Sequence, residues 1–341
     1  MSELNNLVAK FNKKLGAGTL VRGSDLKEES LSIQRVTTGS LSFDIMLGGG
    51  WPLNQWNEII GNPSNGKTVM TLKTIAANQA KDPGYQTLWI ASEDFVFPWA
   101  ESLGIDLDRL TIVTTNVMED AYQIVVEALD ARAMDAVVID SLPARVPGDE
   151  AERQMAEWTM GLGARLTGQF MRKTSKSQKR SLTEVDRPCL GIIINQWREK
   201  IGVMYGDPRT TPGGNAKNYN YFTRIEVSRD EWLEHSKRRV GLSIKAKSIK
   251  NKTAPAHRIG SVDFYFDDVP GFAAGSYDSV KEMFLVGCEY EVVERAGAYY
   301  SFGGERWQGK DNALAGIRED LDLQQALVRD VMTVAVPLLG A

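Results

Sequence analysis

Eight residues, Gly61-Asn62-Pro63-Ser64-Asn65-Gly66-Lys67-Thr68, fill the spacing G-x-x-x-x-G-K-[ST] without interruption. Gly61 and Gly66 accept backbone angles that a side chain would forbid, so successive N–H groups can turn inward around an anion. Lys67 is the cation that reaches the outer phosphates, and the Thr68 hydroxyl is a hard ligand for Mg²⁺. Val69 continues into a helix whose N-terminus adds partial positive charge at the same point. This is the chemistry of a nucleoside triphosphate site.

Such a loop works only between a strand and a helix. Trp56-Asn57-Glu58-Ile59-Ile60 has the composition of the strand, and Val69 to Gln79 that of the helix. Three further apolar runs end in polar groups that a sheet would bring beside the loop. Ala136-Val137-Val138-Ile139-Asp140 ends in an acid able to order the Mg²⁺ shell. Leu88-Trp89-Ile90-Ala91-Ser92 leads to Glu93 and Asp94, and Glu93 is the candidate base for the attacking water. Ile192-Ile193-Ile194 leads to Asn195 and Gln196, uncharged amides suited to sensing a γ-phosphate. The stretch Trp197 to Ala216 then mixes Arg198, Lys200 and Arg209 with glycines and large apolar groups. That mixture suits a nucleic-acid backbone with exposed bases; a lid over the nucleotide is the competing reading.

The chain has 341 residues, 43% hydrophobic and 25% charged, the profile of a globular protein with one large core and a smaller domain. Its two cysteines and two histidines supply neither a disulfide framework nor a zinc site, which points to a reducing compartment such as the cytoplasm. No apolar run approaches the length of a membrane span, and the start lacks an apolar signal segment. The net charge of −4 hides a division. From Asp263 onward six Lys/Arg stand against fourteen Asp/Glu, whereas Lys237 to Arg258 holds eight basic residues and no acid. Arg172 to Arg180 holds five basic residues and no acid, so basic patches sit on an acidic average.

Alternating strand and helix signals predict an α/β core over residues 33–262 with a mostly parallel sheet. Strands are expected at 55–60, 87–92, 110–113, 136–140, 189–195, 223–228 and 240–249. Helices are expected at 69–81, 97–103, 119–132 and 153–173, with an exposed basic loop at 174–187. Residues 1–32 form an arm. In it Leu4, Leu7, Val8, Phe11 and Leu15 share a helix face, Ser2 caps that helix, and Thr19 to Arg22 make a short strand. Packing on its own or a neighbouring subunit suits that face better than a membrane. Residues 263–341 form a small α+β domain whose last helix, from Leu321, stops at Pro337.

Together these residues resemble the bacterial RecA recombinases. The likeness includes Thr37-Thr38-Gly39-Ser40-Leu41-Ser42-Phe43-Asp44, Met160-Gly161-Leu162-Gly163-Ala164-Arg165 and Asn195-Gln196. It continues through Lys200 to Gly206, Gly213-Gly214-Asn215-Ala216, Lys250-Asn251-Lys252 and Glu294 to Ser301, and spans about residues 3 to 330. The resemblance implies a RecA-like ATPase core, ATP and Mg²⁺ as cofactors, and self-assembly into helical filaments on single-stranded DNA that pair with double-stranded DNA. By position, Lys67, Thr68 and Asp140 hold the nucleotide and metal, Glu93 activates water, and Gln196 couples the γ-phosphate to the second DNA loop. Lys250 and Lys252 reach a neighbour's ATP. Arg165, Arg172, Arg198, Lys200, Gly213, Gly214 and Asn215 meet DNA phosphates, and Met160 and Ile201 pack on bases. The arm docks on the adjacent subunit.

The likeness has departures. Asp94-Phe95-Val96-Phe97-Pro98-Trp99 is shorter than the family's run, with Trp99 where a tyrosine stacks on adenine and Phe97 where an acid is expected. Gly168 replaces a small hydroxyl residue, the basic loop at 174–187 is longer, and the acidic tail is missing. A divergent or phage-encoded member would show such changes. Two other activities share the phosphate loop: a hexameric RecA-fold DNA helicase, and a recombinase paralogue that regulates filaments without hydrolysis. The second loop and arm argue against the helicase, and intact Lys67, Thr68, Glu93 and Asp140 against the paralogue. Glu93→Gln is expected to keep ATP binding and lower turnover by ~10²-fold or more. Steady-state hydrolysis measures this; near-normal turnover would move the role to Asp94.

Overall fold

Five- and six-residue apolar runs, too uniform for a sheet with one wet face, need helices on both sides. The computed structural model describes residues 3–16, 19–22, 33–92, 94–142, 162–177, 187–199, 208–214 and 216–336. Its strands in chain order begin with β1 (Arg35–Val36), β2 (Trp51–Pro52), β3 (Gln55–Ile60), β4 (Thr87–Ala91) and β5 (Leu110–Val113). Then come β6 (Ala136–Asp140), β7 (Leu190–Asn195), β8 (Arg198–Glu199), β9 (Arg209–Thr210) and β10 (Thr223–His235). The last are β11 (Arg238–Asn251), β12 (Ile259–Tyr265), β13 (Glu294–Ala296), β14 (Tyr299–Phe302) and β15 (Glu305–Gln308).

Eight of them form the central sheet, ordered β12-β11-β10-β3-β7-β6-β4-β5. The pairings from β10 to β5 are parallel, and β11 and β12 extend the edge antiparallel. Successive side chains feed two cores. Ile59, Trp89, Val138 and Ile194 pack with Met70, Leu72 and Ile75 of the helix Lys67–Lys81. Trp56, Ile90, Ile139 and Ile193 pack with Val125 of Met118–Asp130 and Phe170 of Leu162–Ser177. A third core, around Phe284, Leu327 and Val331, joins the helices Ser279–Glu289, Lys310–Glu319 and Leu321–Ala335 to the antiparallel β13-β14-β15 sheet. Among the described residues no helix is long and apolar enough to cross a membrane.

Several elements differ from expectation for local reasons. The helix Leu162–Ser177 runs into the stretch expected as a loop, because Thr174 Oγ1 donates to the Phe170 carbonyl and accepts from the Trp56 indole, both at 2.9 Å. Residues 178–186 lie outside the described residues. Thr19 to Arg22 form no strand: the Leu20 N–H donates to Asn12 Oδ1 at 2.8 Å, and Asn12 Nδ2 donates to the Leu20 carbonyl at 2.9 Å. The arm helix spans Glu3–Leu15 with none of its residues buried; Ser2 is outside the description, as is Pro337 beyond the final helix. The β10–β11 pair is longer than expected. Trp232 lies between the guanidinium groups of Arg229 and Arg239, 4.2 and 4.8 Å from its ring, which pins the hairpin past Ser228. β12 pairs with β11 from Ile259 to Tyr265, so the core sheet passes residue 262.

The C-terminal unit is tied to the core by Glu282, a buried carboxyl that accepts from the Ser40 hydroxyl and, at 2.9 Å, from the Ser42 N–H. Burial pushes its pKa up to about 7 against those bonds, and nearby Asp44 pushes the same way. The folded chain therefore holds a proton that the unfolded chain releases above its ordinary value of 4.5, and stability falls as pH rises from there to about 7. Glu282→Gln keeps an acceptor oxygen and removes the titration. It is expected to flatten that fall and to gain roughly 3 kcal/mol above neutral pH, read from denaturant midpoints across the window.

Candidate nucleotide site and the loop beside it

β3 ends at Ile60, the glycine-framed loop follows, and the helix Lys67–Lys81 begins at once. Gly66 has φ +90°, and a Cβ there would stand 2.8 Å from Ile244 Cδ1 on β11. A Cβ at Gly61 would run into the Val227 carbonyl on β10. Bare backbone is thus what lets the loop lie against the sheet. Asn62, Pro63 and Ser64 are exposed and Asn65 is half-buried, while Val69 packs on the core. Lys67 is buried, and its ammonium arches back to donate to the Asn62 carbonyl at 2.8 Å. Thr68 is exposed, and its hydroxyl donates to Asp140 Oδ2 at 2.9 Å.

These groups fit the cofactors that the loop implies. The hydroxyl and carboxylate are hard oxygen donors of the kind Mg²⁺ takes, and the loop and helix N-terminus present N–H groups to phosphate. Lys67, Thr68 and Asp140 would hold Mg²⁺-ATP, and the metal would neutralise charge on the outer phosphates.

Register brings the other strand ends to the same edge. Ala91 pairs with Asp140, and Ile60 pairs with Asn195 on one side and Glu226 on the other. The Ser92 hydroxyl donates to the Ser141 carbonyl at 2.9 Å and fixes the chain just before Glu93, which lies outside the described residues. Trp99 packs edge-on to Phe264, with ring centroids 6.1 Å apart, and so belongs to the core rim. Phe97 is exposed and touches Phe95.

The amide strand end leads to a clamped loop. Gln196 is half-buried, and its N–H donates to Asn195 Oδ1 at 3.0 Å. β8 and β9 pair Arg198 with Thr210 and Glu199 with Arg209, closing the base of the segment 200–207. Trp197 and Arg209 both donate to Glu226 Oε1, at 3.0 and 2.5 Å, and the guanidinium stacks on the indole at 4.7 Å. Gly213 and Gly214 have φ +92° and +76°; a Cβ at Gly214 would lie 3.2 Å from the Ala164 Cβ. The returning loop is thereby set against the start of the helix that carries exposed Arg165 and, two turns on, exposed Arg172. Arg198 is also exposed. Met160, Lys200, Ile201 and Asn215 lie outside the described residues.

Lys250 and Lys252 are elsewhere. Lys250 donates to the Asn218 carbonyl at 2.7 Å, and Lys252 lies 5.4 Å from the Phe222 ring centroid. Lys250 pairs across β10 with Arg224, whose partner on β3 is Glu58, three residues before Gly61. At about 3.3 Å per residue it stands roughly 10 Å behind its own phosphate loop and two strand spacings to the side.

Residues 2–270 match the family model of the RecA N-terminal domain, and residues 281–335 that of the RecA C-terminal domain. The chain is 35% identical over 331 residues to Protein RecA of Lactobacillus delbrueckii subsp. bulgaricus, covering 96% of this chain and 95% of that one. It is 35% identical over 327 residues to Protein RecA of Bacillus anthracis and of Bacillus thuringiensis, covering 95% of this chain and 90% of each. The chain belongs to the RecA family. The phosphate loop, the Asp140 strand end and the amide strand end therefore sit in one RecA core.

Motif reading of the sequence did not single out three residues that the RecA fold gathers behind this edge. Glu58 is fully buried and paired, Lys217 lies beside it, and Glu226 anchors the clamp. Their signal was available for Glu58 alone: a charge inside an apolar parallel strand has to find partners. Thr68→Val removes a hydroxyl that faces solvent and Asp140. It is expected to weaken Mg²⁺-dependent ATP affinity by about tenfold or more while the melting temperature holds. Calorimetric titration with Mg²⁺ and with chelator separates the metal contribution, because the deficit should vanish in chelator.

Proposed function

We propose that this chain is an ATP-dependent recombinase that assembles as a helical filament on single-stranded DNA and pairs it with a homologous duplex. The observation that carries the reading is the placement of Lys250 and Lys252. Lys250 stands behind its own phosphate loop and two strands to the side, and the two lysines are held by Asn218 and Phe222. Cations so placed suit a neighbour's nucleotide, which makes hydrolysis a property of an interface. Exposed Leu4, Leu7 and Leu15 on the arm helix support the same reading, since an unburied apolar face calls for a subunit to cover it.

Within one subunit Lys67 and Thr68 orient the phosphates, Asp140 holds Thr68 and the metal, and Glu93 takes the proton of the attacking water. Gln196 follows the γ-phosphate and passes its position to the second loop through Asn195. Arg165, Arg172, Arg198, Lys200, Gly213, Gly214 and Asn215 take DNA phosphates, and Met160 and Ile201 pack against bases. DNA-dependent ATP hydrolysis in the cytoplasm is the resulting activity.

Electron microscopy with a slowly hydrolysed ATP analogue is expected to show helical filaments on single-stranded DNA; closed rings would favour a helicase. Lys250→Ala should abolish DNA-stimulated hydrolysis while an isolated subunit still binds nucleotide. Mixing it with Lys67→Ala should restore part of the activity at interfaces pairing an intact loop with intact lysines. Failure of isolated Lys250→Ala subunits to bind nucleotide would place the lysine on its own site and remove the interface reading.

A further inference from the structure

Behind the clamped loop lies a charged cluster that no part of the reading above uses. Glu58, on β3, is fully buried and meets two cations. Arg224 Nε donates to Glu58 Oε2 at 2.5 Å, and Lys217 Nζ lies 3.8 Å from Oε1. Asn195 Nδ2 also donates to Oε1, at 2.9 Å. Lys217 is itself fully buried, and its ammonium donates to Thr211 Oγ1 at 2.5 Å and to Asn218 Oδ1 at 3.0 Å.

The cluster joins three places that matter for different reasons. Glu58 is on the strand that enters the phosphate loop. Asn195 immediately precedes Gln196 and accepts the Gln196 N–H. Thr211 directly follows β9, where the second loop returns. The aliphatic stem of Lys217 also packs on Gly213, where a Cβ would stand 3.0 Å from Lys217 Cδ. A continuous path of polar contacts therefore runs from Gln196 through Asn195, Glu58 and Lys217 to the returning end of the loop.

We propose that Lys217 is a positioning residue that latches the returning end of the second loop to the Glu58–Asn195 pair, so that a movement of Gln196 is transmitted to both ends of the loop. The proposal rests on the reading that Gln196 couples nucleotide to the loop. Burial is a reason to expect a cost: two cations face one carboxylate, so Lys217 is the surplus charge, and an apolar residue would satisfy packing better. A side chain kept there only to fill space has no need of an ammonium.

The latch has a built-in pH dependence. Burial lowers the Lys217 pKa to about 8, with Glu58 opposing that shift and Arg224 adding to it. Tyr221 presents its ring 5.7 Å from the ammonium, and burial holds its phenol neutral. Lys250 stands beyond Arg224, and the helix packed alongside carries Arg165, Arg172 and Lys173, all exposed. Because the folded pKa lies below the ordinary value of 10.5, the folded chain loses this proton first, and the group adds stability as pH rises from about 8 to 10.5. Coupling runs the opposite way. The charged latch is present below about pH 8 and is lost above it.

The test measures single-stranded DNA affinity by fluorescence anisotropy with and without a slowly hydrolysed ATP analogue, from about pH 7 to about pH 9. The ratio of the two affinities in the unaltered protein is expected to fall about fivefold or more across that range. Lys217→Met should give a low, pH-independent ratio with nucleotide binding intact. Thr211→Val, which removes one hydroxyl and no charge, should lower the ratio at neutral pH. A Lys217→Met protein that keeps the unaltered ratio and its pH decline overturns the proposal. Should that variant fail to fold, a flat ratio in the unaltered protein or an unchanged ratio in Thr211→Val overturns it instead. Gln196→Ala separates the two levels: if it retains full coupling, the switch reading itself fails, whereas its loss beside a normal Lys217→Met refutes the latch alone.

Discussion

Parallel pairing of β3 with β7 on one side and β10 on the other puts Ile60, Asn195 and Glu226 in one row across the sheet. Each member opens a different device. Gly61 follows Ile60 and begins the phosphate loop, Gln196 follows Asn195, and Glu226 holds Trp197 and Arg209. In a sheet covered on both faces, a slip of one residue moves every side chain to the wrong core. Here it would send Glu58 into the core around Ile75 and turn the Asn195 amide from the carboxylate it now meets. The nucleotide loop and the loop beside it are thus positioned by one register, and the apolar alternation of the strands enforces it.

Glu58 shows what the sheet gives up to keep that arrangement directional. A carboxylate fully buried in the sheet, between Ile193 and Arg224 on the neighbouring strands, is costly unless its oxygens are paired. Arg224, Asn195 and Lys217 supply the pairing, and each comes from a segment that ends at or near the second loop. Apolar residues of similar volume would pack with less loss. They would also remove the acceptor that the Asn195 amide meets and the carboxylate beside Lys217. Glu282 makes a comparable trade between the core and the C-terminal unit, where one buried carboxyl orders Ser40 and Ser42 together.

Local signals in the sequence located the strand edge that carries the phosphate loop well, and distant pairings poorly. The phosphate loop, its flanking strand and helix, and the Asp140 strand end were legible because glycine spacing and apolar runs act over a few residues. Asn195 and Gln196 were legible for the same reason. The partners of Glu58 were not, since Asn195 and Arg224 lie 137 and 166 positions away in the chain. Lys217 belongs to no motif, and only the fold shows it buried. Thr174 and Trp232 extended their elements through contacts with Trp56, Arg229 and Arg239, which no periodicity encodes.

Lys250 links the two halves of the functional reading. Its ammonium is tied to the Asn218 carbonyl, and Asn218 Oδ1 accepts from Lys217. Burial lowers the Lys250 pKa, with Lys252 and Arg224 adding to the effect and Glu58 opposing it. On the interface reading, a phosphate on the neighbour competes with the Asn218 carbonyl for this cation. An anion offers a cation a stronger hydrogen bond than a neutral carbonyl does. Release of Asn218 would then loosen the short helix that carries Lys217 and adjoins the glycine pair. The helix Ala216–Asn220 is thus the element to which the ammonium groups of Lys250 and Lys217 are both tied.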